Sequence, residues 1–301
     1  MKKAKKFLYS QKAAPIVFCL PFMLSLLIFW LYPLITGIVM SFQDVTFSGW
    51  EFIGLKNYRK LLIDKTFHTA VLNSVEYMLL TLVLMIPIPL LLAVLMESRL
   101  TKAKGVWKVI LYIPALTSVV ISGMLFRLMF SEGSGGQMNQ ILQFFGHSSI
   151  AWLKEKVTAW TALLLLCMWR WTGVNMLYFL SGLKSIDNSI YESADIDGAN
   201  GRQKLWYLTL PMLKPTTIYV LTISVYAGLS MFLESFMLWN GNSSTKNIGL
   251  TIVGYLYKRG IENNDMGYAC AVGVVLLVIA LIINFAQLFA TGTLSFKRKE
   301  D

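Results

Sequence analysis

The apolar residues of this 301-residue chain fall into long blocks that short polar stretches separate. Each block reaches the roughly 20 residues that a helix needs to cross about 30 Å of hydrocarbon. Prolines inside several blocks fit this reading, because neighbouring helices in a bundle satisfy the backbone groups that proline frees. The pattern predicts six transmembrane helices, at residues 15–41, 69–96, 107–131, 157–183, 212–239 and 267–291.

Composition supports a membrane protein. Hydrophobic residues make up 56% of the chain, charged residues only 14%, and the mean hydropathy is +0.59. A soluble domain is typically about 25% charged. The basic start is followed by an apolar run longer than a signal peptide's core of about 7–15 residues, so we expect a retained first helix. The expected fold class is an all-α membrane protein.

The distribution of Lys and Arg predicts the orientation. The net charge is +11, but this does not require a nucleic-acid partner, since Lys and Arg mark the cytoplasmic loops of membrane proteins. With six helices both termini share one side, and that side holds most of the basic residues. We therefore expect a multi-pass protein of a bacterial or archaeal plasma membrane with both termini in the cytoplasm.

This topology divides the chain into five predicted segments. They are a cytoplasmic tail (1–14), a first transmembrane helix (15–41), an external segment (42–68), a five-helix core with a long cytoplasmic loop at 184–211 (69–291), and a second cytoplasmic tail (292–301).

The long cytoplasmic loop carries helix and turn signals. Ser189 and Glu192 stand three apart, as in a capping box, and Asp187 is an alternative cap. Asp197-Gly198 is a turn signal, and a second helical stretch then runs to Pro211. The loop is expected to form a helix, a tight turn and a helix at the inner membrane surface. A plain amphipathic connector is the alternative.

The loop resembles the EAA loop of binding-protein-dependent ABC importer permeases. Glu192-Ser193-Ala194 is followed by Gly198 and, after nine residues, by the stretch Leu208–Pro211, with the spacing of that motif at every step. Ser193 and Leu208 depart from the usual Ala and Ile. "DGA" at 197–199 resembles the sugar importers, as do "FIGLKNYRKLL" (52–62), "MWRWTGVNMLYFLSGLKSID" (168–187) and "DMGYACAVGVVLLVI" (265–279).

The resemblance implies the transmembrane-domain fold of a type I importer, with a cytoplasmic coupling helix. It also implies a second, related permease subunit, two ATPase subunits, an extracytoplasmic solute-binding protein and a sugar substrate. The residues that it places at the ATPase contact are Glu192, Ser193, Ala194, Asp197, Gly198 and Ala199.

No cofactor or metal is expected on this chain. The sequence has no GxxxxGK[ST] phosphate loop, so ATP and Mg²⁺ would be used by a separate ATPase. The three cysteines lie in apolar blocks without paired spacing, and the two histidines form no cluster.

Four ionisable residues, Glu76, Arg127, Arg170 and Glu234, fall inside predicted helices. Such residues usually face a bundle interior or a cavity. Counted along straight helices, Arg170 and Glu76 lie at depths in the membrane that allow an ion pair, and so do Arg127 and Glu234. Arg127 could instead extend its side chain to water. Whether the four residues line a path or pair structurally stays open.

Sugar recognition needs hydrogen-bonding groups close to flat apolar faces. The fourth and fifth helices offer the candidates for a substrate path, namely Trp169, Arg170, Trp171, Asn175, Tyr178, Glu234, Trp239 and Asn240. The alternative for any aromatic residue among them is packing or an interfacial belt.

Two other function classes are weighed against a sugar importer permease. An ion-coupled secondary transporter usually shows paired repeats with interrupted helices, and no repeat is visible here. An intramembrane enzyme needs a catalytic motif such as His-Glu-x-x-His or Gly-x-Ser-x-Gly, and the sequence contains neither.

Overall fold

The computed structural model describes residues 14–46, 49–98, 101–133, 135–242 and 244–293. The two predicted tails therefore lie outside the described residues, except for Ala14 and residues 292–293. One antiparallel hairpin pairs β1 (Gln43–Thr46) with β2 (Gly49–Phe52). The helices are α1 (Pro15–Met40), α2 (Lys56–Ile63), α3 (Lys65–Met85), α4 (Pro87–Glu97), α5 (Lys104–Leu116), α6 (Val119–Met129), α7 (Gln137–Phe144), α8 (Lys156–Lys184), α9 (Asn188–Ile196), α10 (Gly201–Met212), α11 (Lys214–Leu229), α12 (Leu233–Trp239), α13 (Ile252–Tyr257) and α14 (Met266–Ala290).

The helical membrane fold is confirmed, with a small β-hairpin that the sequence patterns did not indicate. By length and composition, four stretches in the described residues are able to cross a membrane: α1, α3 with α4, α8 and α14. The number rises to six if each of two bent pairs is one span, α5 with α6 (bent by 95°) and α10 with α11 (63°). The first bend lies inside the predicted helix at 107–131, and the second lies at the start of the predicted helix at 212–239.

The predicted helix at 107–131 is bent between α5 and α6. Thr117 and Ser118 both have extended backbones, with ψ of 142° and 136°. Hydroxyl groups satisfy the carbonyls near the bend: Thr117 Oγ1 donates to the Pro114 carbonyl at 2.6 Å, and Ser122 Oγ donates to the Ser118 carbonyl at 2.9 Å. Such local bonds make a sharp bend tolerable at membrane depth.

The predicted helix at 212–239 is broken between α11 and α12. Phe232 has φ −144° and ψ −60°, outside the helical region. The break contains neither Pro nor Gly, so its cause is tertiary. Met231 is 6% exposed and packs in a buried cluster with Tyr77 and Trp160.

The chain forms two compact units. The first comprises the described residues up to Ile63 together with Leu256–Leu277, and so includes the first part of α14. Asn57 donates from Nδ2 to the carbonyls of Ser41 and Gln43, both at 3.0 Å, which ties α2 to the start of the hairpin. The fully buried Tyr268 ring lies beneath the cations of Lys60 and Arg259, at 4.6 and 4.5 Å.

The second unit runs from Asp64 to Tyr255 and resumes at Val278. Its central element is α8, which packs against α3, α4 and α5 and also contacts α11 and α12. Buried residues of α8 enter two apolar clusters, one around Trp160 and Leu166 and the other around Met176 and Phe179. The second unit is therefore built around one long helix.

Gly173 allows the close packing of α8 against α5. A Cβ atom at this position would overlap the backbone carbonyl group of Leu111 and approach the backbone nitrogen of Tyr112 to 2.9 Å. Small residues at helix contacts let backbones approach each other, and this packing is a main source of stability in membrane bundles.

We expect Gly173→Ala to destabilise the protein by about 1–3 kcal/mol, because α5 must move away from α8 to accommodate the new methyl group. The measurement is the thermal unfolding midpoint of the purified protein in detergent. Gly105→Ala in α5 is the matched control, since a Cβ there meets nothing within 4 Å, and alanine is the better helix former. Equal midpoints for Gly173→Ala and Gly105→Ala would contradict the packing argument.

Candidate functional site

A cavity of about 290 Å³ opens between α8 and α11 in the second unit; we call it the central cavity. Its volume is near the lower end of the about 300–1,000 Å³ that is usual for small-molecule sites. Its lining is mostly apolar, with aromatic rings, several hydroxyl groups, one amide and one carboxylate among the side chains. The residues that line it are Tyr77, Thr81, Met85, Cys167, Trp171, Val174, Asn175, Tyr178, Ile223, Ser224, Ala227, Gly228, Ser230, Met231 and Glu234.

Glu234 is the one charged residue among the described residues that line the central cavity, and Arg170 neutralises it. Arg170 Nη1 donates to Glu234 Oε1 at 2.9 Å, and the two side chains are only 8% and 16% exposed. Arg170 Nη2 approaches the Thr117 carbonyl at 3.5 Å, and the guanidinium lies 5.2 Å from the Trp171 ring. A buried charge pair in this setting is costly to break, because removing one partner leaves the other uncompensated.

Neither of the two ion pairs that depth along straight helices allowed is formed. Glu76 Oε2 instead accepts from Lys156 Nζ at 2.6 Å in an exposed pair, of a kind that contributes little to stability. Arg127 is exposed and has no ion pair within the described residues. The break before α12 accounts for the altered position of Glu234, because a depth counted along a continuous helix at 212–239 does not apply beyond Leu229.

Asn175 lines the cavity, but its amide also has a structural partner. Asn175 Nδ2 donates to the Met85 carbonyl at 3.0 Å. In a regular helix that carbonyl would accept from the residue four positions later, which is Pro89 and has no N–H. Asn175 therefore satisfies a backbone group that the sequence of α3 and α4 leaves open.

The other candidates for the substrate path separate into two groups. Trp171 and Tyr178 line the central cavity with Asn175 and Glu234, while Arg170 lies behind Glu234. Three candidates point elsewhere. Trp169 packs on Phe126 with ring centroids 5.6 Å apart, Trp239 Nε1 donates to the Leu153 carbonyl at 3.0 Å, and Asn240 is an exposed helix cap with φ +56°.

Sequence reasoning missed the contributions of α3 and α11 to the cavity. Tyr77 and Thr81 lie one turn apart on α3, and Ser224 and Ser230 lie on or just after α11. The available signal was a run of polar residues at helical spacing inside apolar helices. It is a weak signal, because hydroxyl groups in membrane helices often bond to their own backbone, as Thr81 Oγ1 does with the Met78 carbonyl.

The long loop folds as a helix, a turn and a helix. Asp187 caps α9, since its Oδ1 accepts from the Ser189 backbone N–H at 3.0 Å. Hydrogen bonding from the backbone and then from the side chain of Ser189 holds the pKa of the Asp187 carboxyl below its usual value. The capping box expected at Ser189 and Glu192 is not the one that forms: Ser189 lies inside the helix, and the capping box of this loop pairs Asn200 with Gln203 at the start of α10.

Gly198 closes α9 with a left-handed turn. Its φ is +76°, and the Ala199 N–H donates to the Ala194 carbonyl at 2.9 Å while the Gly198 N–H reaches the Asp195 carbonyl at 3.1 Å. This is the pattern of a Schellman cap, in which glycine is strongly preferred. No atom lies within 4 Å of a Cβ built at Gly198, so the backbone angle and not crowding requires the glycine.

Side-chain contacts tie α9 to α10. Lys204 forms an ion pair with Asp195, and the Tyr191 hydroxyl bonds to Thr209 Oγ1 at 2.9 Å. Ala194 is buried and faces its own chain. The loop is therefore a folded unit and not a plain connector.

The outward face of α9 combines polar and apolar residues. Glu192, Ser193 and Asp197 are exposed, and Ser193 Oγ donates to the Ser189 carbonyl at 2.9 Å. Between them Ile196 is 88% exposed, which sequence reasoning did not single out. Ile196 is thus the most exposed large apolar side chain of α9, with polar residues on either side of it.

Comparisons with known proteins place the chain among transport proteins. Residues 77–293 match the family described as "Binding-protein-dependent transport system inner membrane component". The arabinooligosaccharides transport system permease protein AraP of Bacillus subtilis (strain 168) is 48% identical over 289 residues, which cover 96% of this chain and 91% of AraP.

Solved structures agree. The chain is similar to a chain of a bacterial ABC transporter involved in the import of the acidic polysaccharide alginate, with a TM-score of 0.83 and 26% identity over 94% of this chain and 96% of that one. It is also similar to a chain of the alginate ABC transporter in complex with an alginate pentasaccharide-bound periplasmic protein. That match has a TM-score of 0.82 and 25% identity, over the same shares of the two chains.

We expect Asn175→Ala to cost about 1–3 kcal/mol of stability, because it leaves the buried Met85 carbonyl without a partner. The same substitution in a Pro89→Ala background should cost clearly less, since the alanine N–H can then occupy that carbonyl. Unfolding midpoints of the four proteins in this double-mutant cycle provide the measurement. Equal costs in both backgrounds would show that Asn175 does not act through Met85.

Proposed function

Since this chain belongs to the family of binding-protein-dependent transport system inner membrane components, we propose that it forms half of the translocation path for a sugar or oligosaccharide in an ABC importer. The chain is a membrane-spanning permease subunit and not an enzyme. The alternative of an ion-coupled secondary transporter has no support from these relatives.

The central cavity is the observation that carries the sugar assignment. Tyr77, Thr81, Ser224 and Ser230, which all carry hydroxyl groups, line the same cavity as Trp171. A sugar presents hydroxyl groups around its edge and C–H groups on its faces, so it suits hydrogen-bonding groups next to aromatic surfaces. Of the earlier candidates, we assign Trp171, Asn175, Tyr178 and Glu234 to this path, and we leave Trp169 and Trp239 with packing roles and Asn240 with a capping role.

The partners follow from the same assignment. A second, related permease subunit would complete the path, and an extracytoplasmic binding protein would deliver the substrate, as a periplasmic protein does in the alginate transporter complex. Two separate ATPase subunits would use ATP and Mg²⁺. The excess of Lys and Arg on the side of the termini supports a plasma-membrane orientation with both termini in the cytoplasm.

The folded loop is the proposed contact with an ATPase subunit. Glu192, Ser193 and Asp197 would meet the partner around the exposed Ile196 side chain, whose burial in a pocket would stabilise the contact. Ala194 and Ala199 would act indirectly: the burial of Ala194 and the hydrogen bond between its carbonyl and the Ala199 N–H hold α9 in place. Gly198 would set the angle of the turn.

Uptake by the chain reconstituted in liposomes with its partner subunits tests the proposed function. We expect uptake of the neutral trisaccharide arabinotriose that requires ATP and its binding protein and that survives a protonophore, because ATP hydrolysis drives the transport cycle. A complex without the ATPase subunits is the control. Uptake that needs no ATP and collapses with the protonophore would indicate ion coupling and contradict the proposal.

A second prediction concerns the coupling loop. Gly198→Val should abolish uptake while the permease remains in the membrane, because a β-branched residue at φ +76° is strongly disfavoured and distorts the turn. Gly201→Val is the matched control in the same loop, where a Cβ meets no atom within 4 Å and φ is not in the left-handed region. Uptake and co-purification of the ATPase are measured for both variants; full activity of Gly198→Val would rule out this role for the turn.

A further inference from the structure

A second recess lies beside the central cavity, nearer to the α9–α10 loop. We call it the loop-side recess, and its volume is about 370 Å³. It is formed by the ends of α8 and α11 that adjoin the loop. The residues that line it are Tyr178, Ser181, Gly182, Ser185, Pro215, Thr216 and Tyr219.

The central cavity and the loop-side recess lie along one furrow between α8 and α11. Their lining residues recur every three or four positions on both helices, so each set occupies one helix face. On α8 and just beyond it these residues are Cys167, Trp171, Val174, Tyr178, Ser181 and Ser185, and on α11 they are Thr216, Tyr219, Ile223 and Ala227. Cys167 to Ser185 spans about 27 Å at 1.5 Å per residue, close to the about 30 Å of a hydrocarbon core.

Two tyrosines divide this furrow. The rings of Tyr178 and Tyr219 meet edge to face, with centroids 5.4 Å apart and an interplanar angle of 89°. This is a preferred geometry for an aromatic pair. Tyr178 lines both compartments, whereas Tyr219 lines only the loop-side recess.

The loop-side recess offers hydroxyl groups and aromatic surfaces but no charge among the described residues that line it. Ser181, Ser185 and Tyr219 are exposed on this chain. Ser185 Oγ already donates to the Gly182 carbonyl at 2.7 Å, so it faces the recess as an acceptor. Exposed hydroxyl-bearing residues at this end of α8 and α11 favour contact with water or a polar ligand over contact with lipid.

We propose that the loop-side recess is a second subsite for an uncharged saccharide unit, which the Tyr178–Tyr219 pair separates from the central cavity. This inference rests on the proposed function. Ser181 and Thr216 would hydrogen-bond the sugar hydroxyls, and the tyrosine rings would cover its apolar face. A sugar that leaves the central cavity would then pass the tyrosine pair and occupy the recess before release.

Thiol labelling of the intact complex tests the subsite. Thr216→Cys is introduced with the native cysteines in place, and a maleimide reagent modifies it while mass spectrometry follows each cysteine separately. We expect arabinotriose to slow modification of residue 216 about tenfold at about ten times its dissociation constant, where occupancy is about 90%. Thr217→Cys is the matched control: it is the next residue on α11, it does not line the recess, and its labelling should not change.

Ser181→Cys, on the opposite wall of the recess, is a second variant in case Thr216→Cys is not assembled. Labelling of either position at the same rate with and without arabinotriose would overturn the subsite. Labelling of residue 216 or 181 only after removal of the second permease subunit would also overturn the subsite, because the recess would then be an interface between subunits. Arabinotriose uptake by the unsubstituted complex is measured in parallel: uptake without protection rejects only the subsite, whereas absence of both rejects the proposed function as well.

Discussion

The buried guanidinium of Arg170 contacts two of the places where the helices of the second unit are interrupted. One Nη atom pairs with Glu234 in the first turn of α12, directly after the break that follows α11. The other approaches the Thr117 carbonyl at the 95° bend between α5 and α6. Helix ends leave backbone groups without partners, and inside a membrane such groups need satisfaction from the protein. From the centre of α8, Arg170 reaches one such group, the Thr117 carbonyl, and pairs with the Glu234 side chain beside the second interruption.

The same ion pair sets the electrostatics of the proposed path. Glu234 lines the central cavity, and its charge is balanced by a group that lies behind it, so the cavity presents a polar but nearly neutral surface. Hydroxyl groups and aromatic rings supply the remaining polar and flat surfaces. This chemistry suits a ligand that exchanges hydrogen bonds with water for similar bonds with protein, at little electrostatic cost.

Hydropathy and helical length located the apolar stretches, because about 20 apolar residues in sequence have few alternatives to a membrane helix. The Asp197-Gly198 dipeptide predicted the turn in the cytoplasmic loop, and the structure has that turn at Gly198. The break at Ser230–Phe232 could not be predicted, since none of its three residues is Pro or Gly and the burial of Met231 there is a tertiary feature. Once that break was missed, the depth of Glu234 and its pairing with Arg170 were missed as well.

The roles of Trp169 and Trp239 were ambiguous for another reason, because helical spacing does not show which face of a membrane helix meets a neighbour.

The hydrogen-bonded loop has a mechanical consequence. From Gly201 to Met212, α10 is about 18 Å long at 1.5 Å per residue, and Tyr219 lies about 9 Å beyond the buried Leu213 where α10 bends into α11. Measured from Leu213, these two segments have lengths in a ratio of about two to one. If α10 and α11 turn together as a rigid body, a displacement at the far end of the loop becomes about half as large, and correspondingly more forceful, at the tyrosine pair. Such a rotation would exchange distance for force at the Tyr178–Tyr219 pair.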